Sequence, residues 1–96
     1  MKKDAKRSVS DLEFILLALL EQPMAGRCIA RRYEEKMAQP IPFGSLYTTL
    51  TRLQYLGFLQ KTGFLRDCRE KSFKRTRTGT MVVRASKQYY RFLAEL

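Results

Sequence analysis

Hydrophobic and polar residues follow one another with periods that predict four helices and one β-hairpin. Ser10 opens the sequence S-D-L-E, a capping box in which Ser10 and Glu13 exchange side-chain-to-backbone hydrogen bonds. We expect the first helix to run from Ser10 to about Glu21, with Pro23 just beyond its end. Its interior, residues 14–20, is apolar on every side. Such a helix must be covered all round, and we expect a second copy of the chain to supply part of the cover.

Two more helices are predicted before the pattern changes. The second spans about residues 25–38, with apolar residues on one side and charged residues on the other. The two prolines that follow it disfavour its continuation. The third helix covers residues 43–56 and ends at Gly57, which we expect to adopt the left-handed conformation of a helix end. Its inward stripe consists of Leu46, Leu50 and Leu53.

Beyond the third helix the period becomes that of β-strands. Residues 58–61 and 72–76 are short β-prone segments, and they predict a hairpin with a long charged tip. Either Thr76 or Thr78 is a suitable cap for a last helix that ends at Leu96. That helix carries a heptad-like apolar stripe formed by Val82, Ala85, Tyr89, Phe92 and Leu96.

The order helix, helix, helix, hairpin, helix predicts a mainly α fold with a small β-hairpin. It is the layout of a winged helix-turn-helix followed by a C-terminal dimerisation helix. We therefore expect a basic flexible arm over residues 1–9, a winged-helix DNA-binding domain over 10–77 and a dimerisation helix over 78–96. In this fold the third helix enters the major groove, and the hairpin, or wing, lies along the DNA backbone or minor groove.

Composition narrows the class of partner. The 96 residues suffice for one small domain, and a hydrophobic fraction of 45% indicates a compact fold. Nineteen Lys and Arg residues against nine Asp and Glu residues leave a net charge of +10, so polyanions are the natural partners. Seven of these cations lie in the hairpin and its flanks: Lys61, Arg66, Arg69, Lys71, Lys74, Arg75 and Arg77.

Several function classes are excluded. The chain has no His, and its two cysteines, Cys28 and Cys68, cannot form a four-ligand zinc site by themselves. With no nucleophile–base pair, phosphate loop or metal set, we expect no enzyme activity and no cofactor. The longest apolar run, residues 14–20, is far short of the roughly 20 residues that span a membrane. No signal-peptide cleavage site follows the basic start, so we expect a cytoplasmic protein with reduced thiols. Cys68 lies among cations in the hairpin tip, where it is either a redox sensor or, as we expect, a spectator.

The exposed face of the third helix carries the candidate DNA contacts. Successive residues turn by 100°, which places Ser45, Thr48, Thr51 and Arg52 opposite the leucine stripe. Hydroxyl and guanidinium groups suit base edges and phosphates, and the helix contains no acidic residue. No carboxylate lies three or four residues from Arg52 on its own helix, so we expect Arg52 to contact DNA rather than an acid.

The strongest motif is F-G-S-L-Y-T-T-L-T-R-L over residues 43–53, followed by Leu56 and Gly57. Pro23 and Gly26 lie upstream in a P-x-x-G motif, and T-R-T-G follows the hairpin. In these segments the chain resembles the PadR family of bacterial transcriptional regulators. It departs from the family pattern at Arg27, where a tyrosine is usual, and it has no Trp. We also expect it to lack the longer helical effector domain that some members carry.

The resemblance implies a homodimeric repressor that binds double-stranded DNA at an inverted repeat near a promoter. Together with the exposed face it places the DNA contacts at Ser45, Tyr47, Thr48, Thr51 and Arg52 on the third helix and at Lys71 and Lys74 on the wing. Tyr47 borders the leucine stripe, so it either contacts DNA or packs inward and offers only its hydroxyl. The expected dimer interface consists of Phe14, Leu17, Val82, Tyr89, Phe92 and Leu96.

Other interpretations stay open at this point. Some family members bind aromatic effectors between subunits, but we expect the aromatic residues of the last helix to form plain interface core. A winged-helix protein-interaction module with an acidic partner is a second hypothesis, and a non-specific architectural or RNA-binding protein is a third. The hydroxyl-rich third helix favours sequence-specific DNA binding over protein association. The lack of exposed stacking platforms counts against single-stranded RNA.

Overall fold

Four helices and one small antiparallel sheet make up the part of the chain that the structure describes. A computed structural model describes residues 9–64 and 71–96 of the chain. The elements in chain order are α1 (Asp11–Leu19), β1 (Met24–Ala25), α2 (Gly26–Met37), α3 (Phe43–Tyr55), β2 (Leu59–Phe64), β3 (Lys71–Arg75) and α4 (Arg77–Ala94). The four predicted helices and both strands of the hairpin are confirmed, and each helix end lies within two residues of its expected position.

The sheet has one strand more than the hairpin that the sequence predicts. Its three strands are antiparallel in the order β1-β3-β2. In β1, Met24 pairs with Phe73 and Ala25 with Ser72. Two residues between a proline and a helix show no alternation, so the sequence contains no signal for β1. The pairing attaches the start of α2 to the base of the wing.

A bulge interrupts the pairing of β2 with β3. Lys61 pairs with Phe73, but the register shifts before Phe64, which pairs with Lys71. The buried Ser72 lies opposite the bulge, where its hydroxyl hydrogen-bonds the Thr62 hydroxyl and donates to the Gly63 carbonyl oxygen at 3.1 Å. Because a bulge bends its strand and increases the local twist, it changes the direction of the wing.

Local capping signals account for the helix ends. The Glu13 backbone N–H donates to the Ser10 hydroxyl at 3.2 Å and the Ser10 N–H donates to the Glu13 carboxylate at 2.9 Å, which confirms the capping box. Gly57 has φ +84° and ends α3 in the left-handed conformation, as predicted. Of the two candidate caps for α4, Thr76 is the one used, because its hydroxyl accepts the Gly79 N–H at 3.0 Å.

The core forms where α1 contacts α2, α3 and α4. Leu16 and Leu17 have no exposed surface, and the three leucines of the α3 stripe are buried against them. The prediction that Leu17 belongs to a dimer interface is therefore wrong, since a fully buried side chain has no surface left for a partner. The chain's own helices supply most of the cover that we expected from a second copy. Phe14, Ile15 and Ala18 remain half-buried.

Arg75 was expected among the cations of the wing, but its side chain points back into the fold. It is half-buried, and its Nη1 donates to the Leu17 carbonyl oxygen at 2.8 Å. Its Nε donates to the Thr80 hydroxyl at 3.2 Å. The Leu17 carbonyl already accepts the Leu20 N–H at 3.1 Å. Arg75 adds a second, charged donor there from the base of the wing, where the negative end of the helix dipole attracts positive charge.

Replacing Gly79 with Ala is expected to destabilise the fold. Gly79 is buried in the first turn of α4, where a Cβ would overlap the Phe58 carbonyl oxygen. Backbone cannot move aside as a flexible side chain can, so we expect a loss of about 2–3 kcal/mol in the free energy of unfolding. Gly44→Ala is the matched control, because no atom lies within 4 Å of its Cβ position and it should stabilise by about 0.5 kcal/mol. Urea unfolding measures both variants, and equal stability of the two would contradict the close approach.

Candidate nucleic-acid interface

The outer face of α3 is presented to solvent by the burial of its opposite face. Leu46, Leu50 and Leu53 are at most 1% exposed, which fixes the rotation of the helix about its axis. Ser45, Thr48 and Thr51 are therefore exposed on the other side, together with Gly44. This face carries short hydroxyl side chains and no carboxylate. It can donate and accept hydrogen bonds without repelling phosphate.

Tyr47 packs between helices and is also exposed. Its side chain lies over Gly26 at the start of α2, so close that a Cβ on Gly26 would overlap the Tyr47 hydroxyl. Its ring centroid is 6.1 Å from that of Phe43, and 41% of the residue stays exposed. The hydroxyl end of Tyr47 therefore packs against the start of α2 and is not offered outward as the second alternative had it, and a contact between Tyr47 and DNA stays a prediction.

Arg52 has an acidic partner that reasoning along one helix could not find. Its Nε donates to the Glu13 Oε2 at 2.6 Å, across 39 residues of sequence. The Glu13 side chain is 9% exposed and the Arg52 side chain is 60% exposed. We expected Arg52 to contact DNA rather than an acid; it does have a carboxylate partner, but its side chain stays 60% exposed, and the DNA contact stays a prediction. Glu13 is therefore a further residue of the candidate site. Its only signal in the sequence was its position in the capping box.

The wing adds cations beside α3. Lys61 in β2 and Lys74 in β3 are exposed. Lys71 also belongs to β3, but its side chain lies outside the described part of the structure. The tip, residues 65–70, is outside it too, and with it Arg66, Arg69 and Cys68. The basic residues at the start of the chain fall within residues 1–8, which are likewise not described.

The C-terminal half of α4 exposes apolar surface. Phe92 is 59% exposed and Leu96 is 87% exposed, whereas Val82 and Tyr89 are half-buried. Phe14 on α1 packs against α4 through Tyr90, with ring centroids 5.2 Å apart. Apart from Leu17, the residues expected at a dimer interface therefore keep some surface.

No three metal-ligating side chains cluster among residues 9–64 and 71–96. Within the same ranges no helix is long and apolar enough to cross a bilayer.

Comparison with known proteins places this geometry in a structural class. No family model and no curated protein sequence matches the chain. Solved structures do. RosR of H. salinarum is 24% identical, with a TM-score of 0.78 over 88% of this chain and 76% of its own. A PadR family transcription regulator from Clostridium difficile R20291 is 19% identical, with a TM-score of 0.76 over 90% of this chain and 93% of its own.

A third similar structure is a complex with DNA. Bacillus subtilis PadR in complex with operator DNA is 19% identical, with a TM-score of 0.68 over 78% of this chain and 45% of its own. The chain has the PadR winged-helix fold. The resemblance that the G-S-L-Y segment indicates is thus confirmed in three dimensions. At these identities the likeness establishes the fold.

The contact between Gly26 and Tyr47 predicts a coupled pair of substitutions. Gly26→Ala should lower the free energy of unfolding by about 1–2 kcal/mol, because its methyl group displaces the Tyr47 ring. In a Tyr47→Ala background the same change should cost much less, since the three atoms nearest to that Cβ position all belong to Tyr47. Urea unfolding of the four proteins in this double-mutant cycle measures the coupling. An equal effect of Gly26→Ala in both backgrounds would show that Tyr47 does not occupy this position.

Proposed function

We propose that the protein is a dimeric, sequence-specific DNA-binding transcriptional regulator, a repressor, that recognises an inverted-repeat operator through α3 and the wing. The observation that carries the proposal is the exposed, acid-free hydroxyl face of α3 with Arg52 at its edge. The wing lysines lie beside it, in a chain of net charge +10. Bacillus subtilis PadR, which shares the fold, was solved in complex with operator DNA, and this supports DNA as the ligand. Such a regulator acts in the cytoplasm, where bacterial DNA lies.

The first turn of α3 is suited to a phosphate. No side chain among the described residues caps its N-terminus, and its first turn contains no acid. Backbone N–H groups at the start of a helix attract anions, so a phosphate there would fix the position of α3 along the groove. Ser45 and Thr48 then face the base edges and the adjacent backbone. Arg52, one turn farther on, has terminal nitrogens that match the O6 and N7 acceptors of guanine.

The wing contributes affinity rather than sequence information. Lys61 and Lys74 are exposed lysines on neighbouring strands, and Lys71 lies on the same strand as Lys74. An ammonium group on a flexible stem contacts phosphate as a point charge. Each such contact releases counterions, so we expect binding to weaken steeply as salt concentration rises.

A second copy of the chain is the partner for the exposed end of α4. The apolar stripe of this helix emerges toward its C-terminus, where Phe92 and Leu96 face solvent. Val82 and Tyr89 continue the stripe along the helix, and Phe14 adds to it from α1. Pairing two copies across this surface creates a two-fold axis, which brings two α3 helices to half-sites about 34 Å apart on one face of DNA.

Arg52 and Lys74 are expected to respond differently to substitution. Arg52→Ala should weaken binding to a selected operator by about 1–3 kcal/mol and change binding to random DNA little. Lys74→Ala should weaken both equally and reduce the salt slope by about 1. Competition between operator and random duplexes at fixed salt measures both effects. The same loss on both duplexes for both variants would contradict base reading by Arg52, and equal affinity of the wild type for both would favour a non-specific architectural protein.

If the protein is a dimer, its mass in solution is twice the chain mass, and one substitution in the interface should halve it. Light scattering at about 0.15 M salt should give twice the chain mass of 11.3 kDa. Phe92→Glu should give the monomer mass with an unchanged far-UV circular dichroism spectrum, because Phe92 is largely exposed in the isolated chain. Arg84→Glu, an exposed change of charge on the same helix outside the stripe, is the control and should stay dimeric. A monomeric wild type, or a dimeric Phe92→Glu variant, would overturn this interface.

A further inference from the structure

Glu13 lies between the first turn of α1 and the outer face of α3, and both of its carboxylate oxygens have partners. Oε1 accepts the Ser10 backbone N–H at 2.9 Å, which closes the capping box. Oε2 accepts the Arg52 Nε–H at 2.6 Å. The Ser10 backbone N–H holds the carboxylate in place, because it fixes Oε1 while Oε2 meets Arg52. The anion that meets Arg52 is therefore in a fixed position.

The geometry points to Glu13 as a positioning residue for DNA recognition. A guanidinium has five N–H donors, and the bond to Glu13 is made by Nε, so this bond leaves the four donors of the two terminal nitrogens. Those two nitrogens form a pair that can contact guanine O6 and N7 in a bidentate manner. We propose that Glu13 orders Arg52 in the free protein and thereby directs its terminal nitrogens at a guanine. The inference rests on the proposed function.

Pre-ordering of Arg52 raises DNA affinity, because an arginine side chain that is free before binding loses rotamer freedom when it binds. Immobilising such a side chain at an interface reduces affinity about three- to tenfold. Glu13 holds Arg52 before DNA arrives, so that loss has already occurred in folding. The carboxylate also lowers the net charge at this point of the surface, which weakens a phosphate contact more than a contact to an uncharged base edge. Both effects raise the ratio of specific to non-specific affinity.

Glu13→Gln separates this role from helix capping. Glutamine serves equally at the third position of a capping box, so the bond to the Ser10 N–H is retained. The negative charge that holds Arg52 is lost. Ser10→Ala is the complementary control, because it removes the capping hydroxyl and leaves the carboxylate opposite Arg52. Its melting temperature should fall while its DNA discrimination stays that of the wild type.

Binding to a selected operator and to a random duplex at one salt concentration provides the test. We expect Glu13→Gln to reduce the ratio of the two affinities about three- to tenfold, with the loss on the operator. In an Arg52→Ala background the same change should have no further effect on the ratio. A wild-type ratio for Glu13→Gln would overturn the proposal, as would a gain in operator affinity, which would mean that Glu13 masks Arg52 rather than presents it.

A second measurement does not depend on DNA. In the free protein, the Nε–H resonance of Arg52 should be protected from exchange with water in the wild type and in Ser10→Ala, and unprotected in Glu13→Gln. Lack of protection in the wild type would overturn the proposal whatever the DNA result. If protection is found but the wild type does not prefer any selected duplex to random DNA, the proposed function fails, and with it the role of Glu13 in recognition, while the ion pair itself stands.

Discussion

Leu16 and Leu17 keep no exposed surface where α1 meets α2, α3 and α4, and this burial orients every other element. Removing one such leucine side chain from water is worth about 1.5–3 kcal/mol, so the helix cannot turn its apolar sides outward. The leucine stripe of α3 packs into the same core. Its hydroxyl face must then point to solvent, and the candidate DNA surface is a direct consequence of how α1 is covered.

Three polar contacts attach the functional elements to this buried helix. Arg52 connects α3 to Glu13, and Arg75 connects the base of the wing to the carbonyl of Leu17. On α4, Tyr90 donates to Asp11 in the first turn of α1. Helix ends carry unpaired backbone groups and partial charges, so the ends of α1 and the side chains beside them are natural anchors for polar groups. Helix α3, the wing and the proposed dimerisation helix are thus all attached to α1.

The sequence predicted the helices and their ends, which depend on residues close together in the chain. It missed a strand and a side-chain orientation that depend on contacts between distant segments. The capping box at Ser10, the left-handed Gly57 and the leucine spacing of α3 are signals within a few residues, and the helices they delimit are confirmed. Strand β1 and the inward turn of Arg75 arise from contacts with segments far along the chain. The expected interface role of Leu17 failed for the same reason, since apolar periodicity cannot distinguish the chain's own core from a partner's surface.

The surface that we propose to bind DNA consists of α3 and the wing. Titrating the isotope-labelled protein with a selected operator duplex, and following its backbone amide resonances, tests this most directly. The largest shifts should fall on residues 43–55 and on β2 and β3, with small ones on the charged outer face of α2. Shifts concentrated on α2, or spread evenly over all exposed lysines and arginines, would contradict it and indicate a different or non-specific mode of binding.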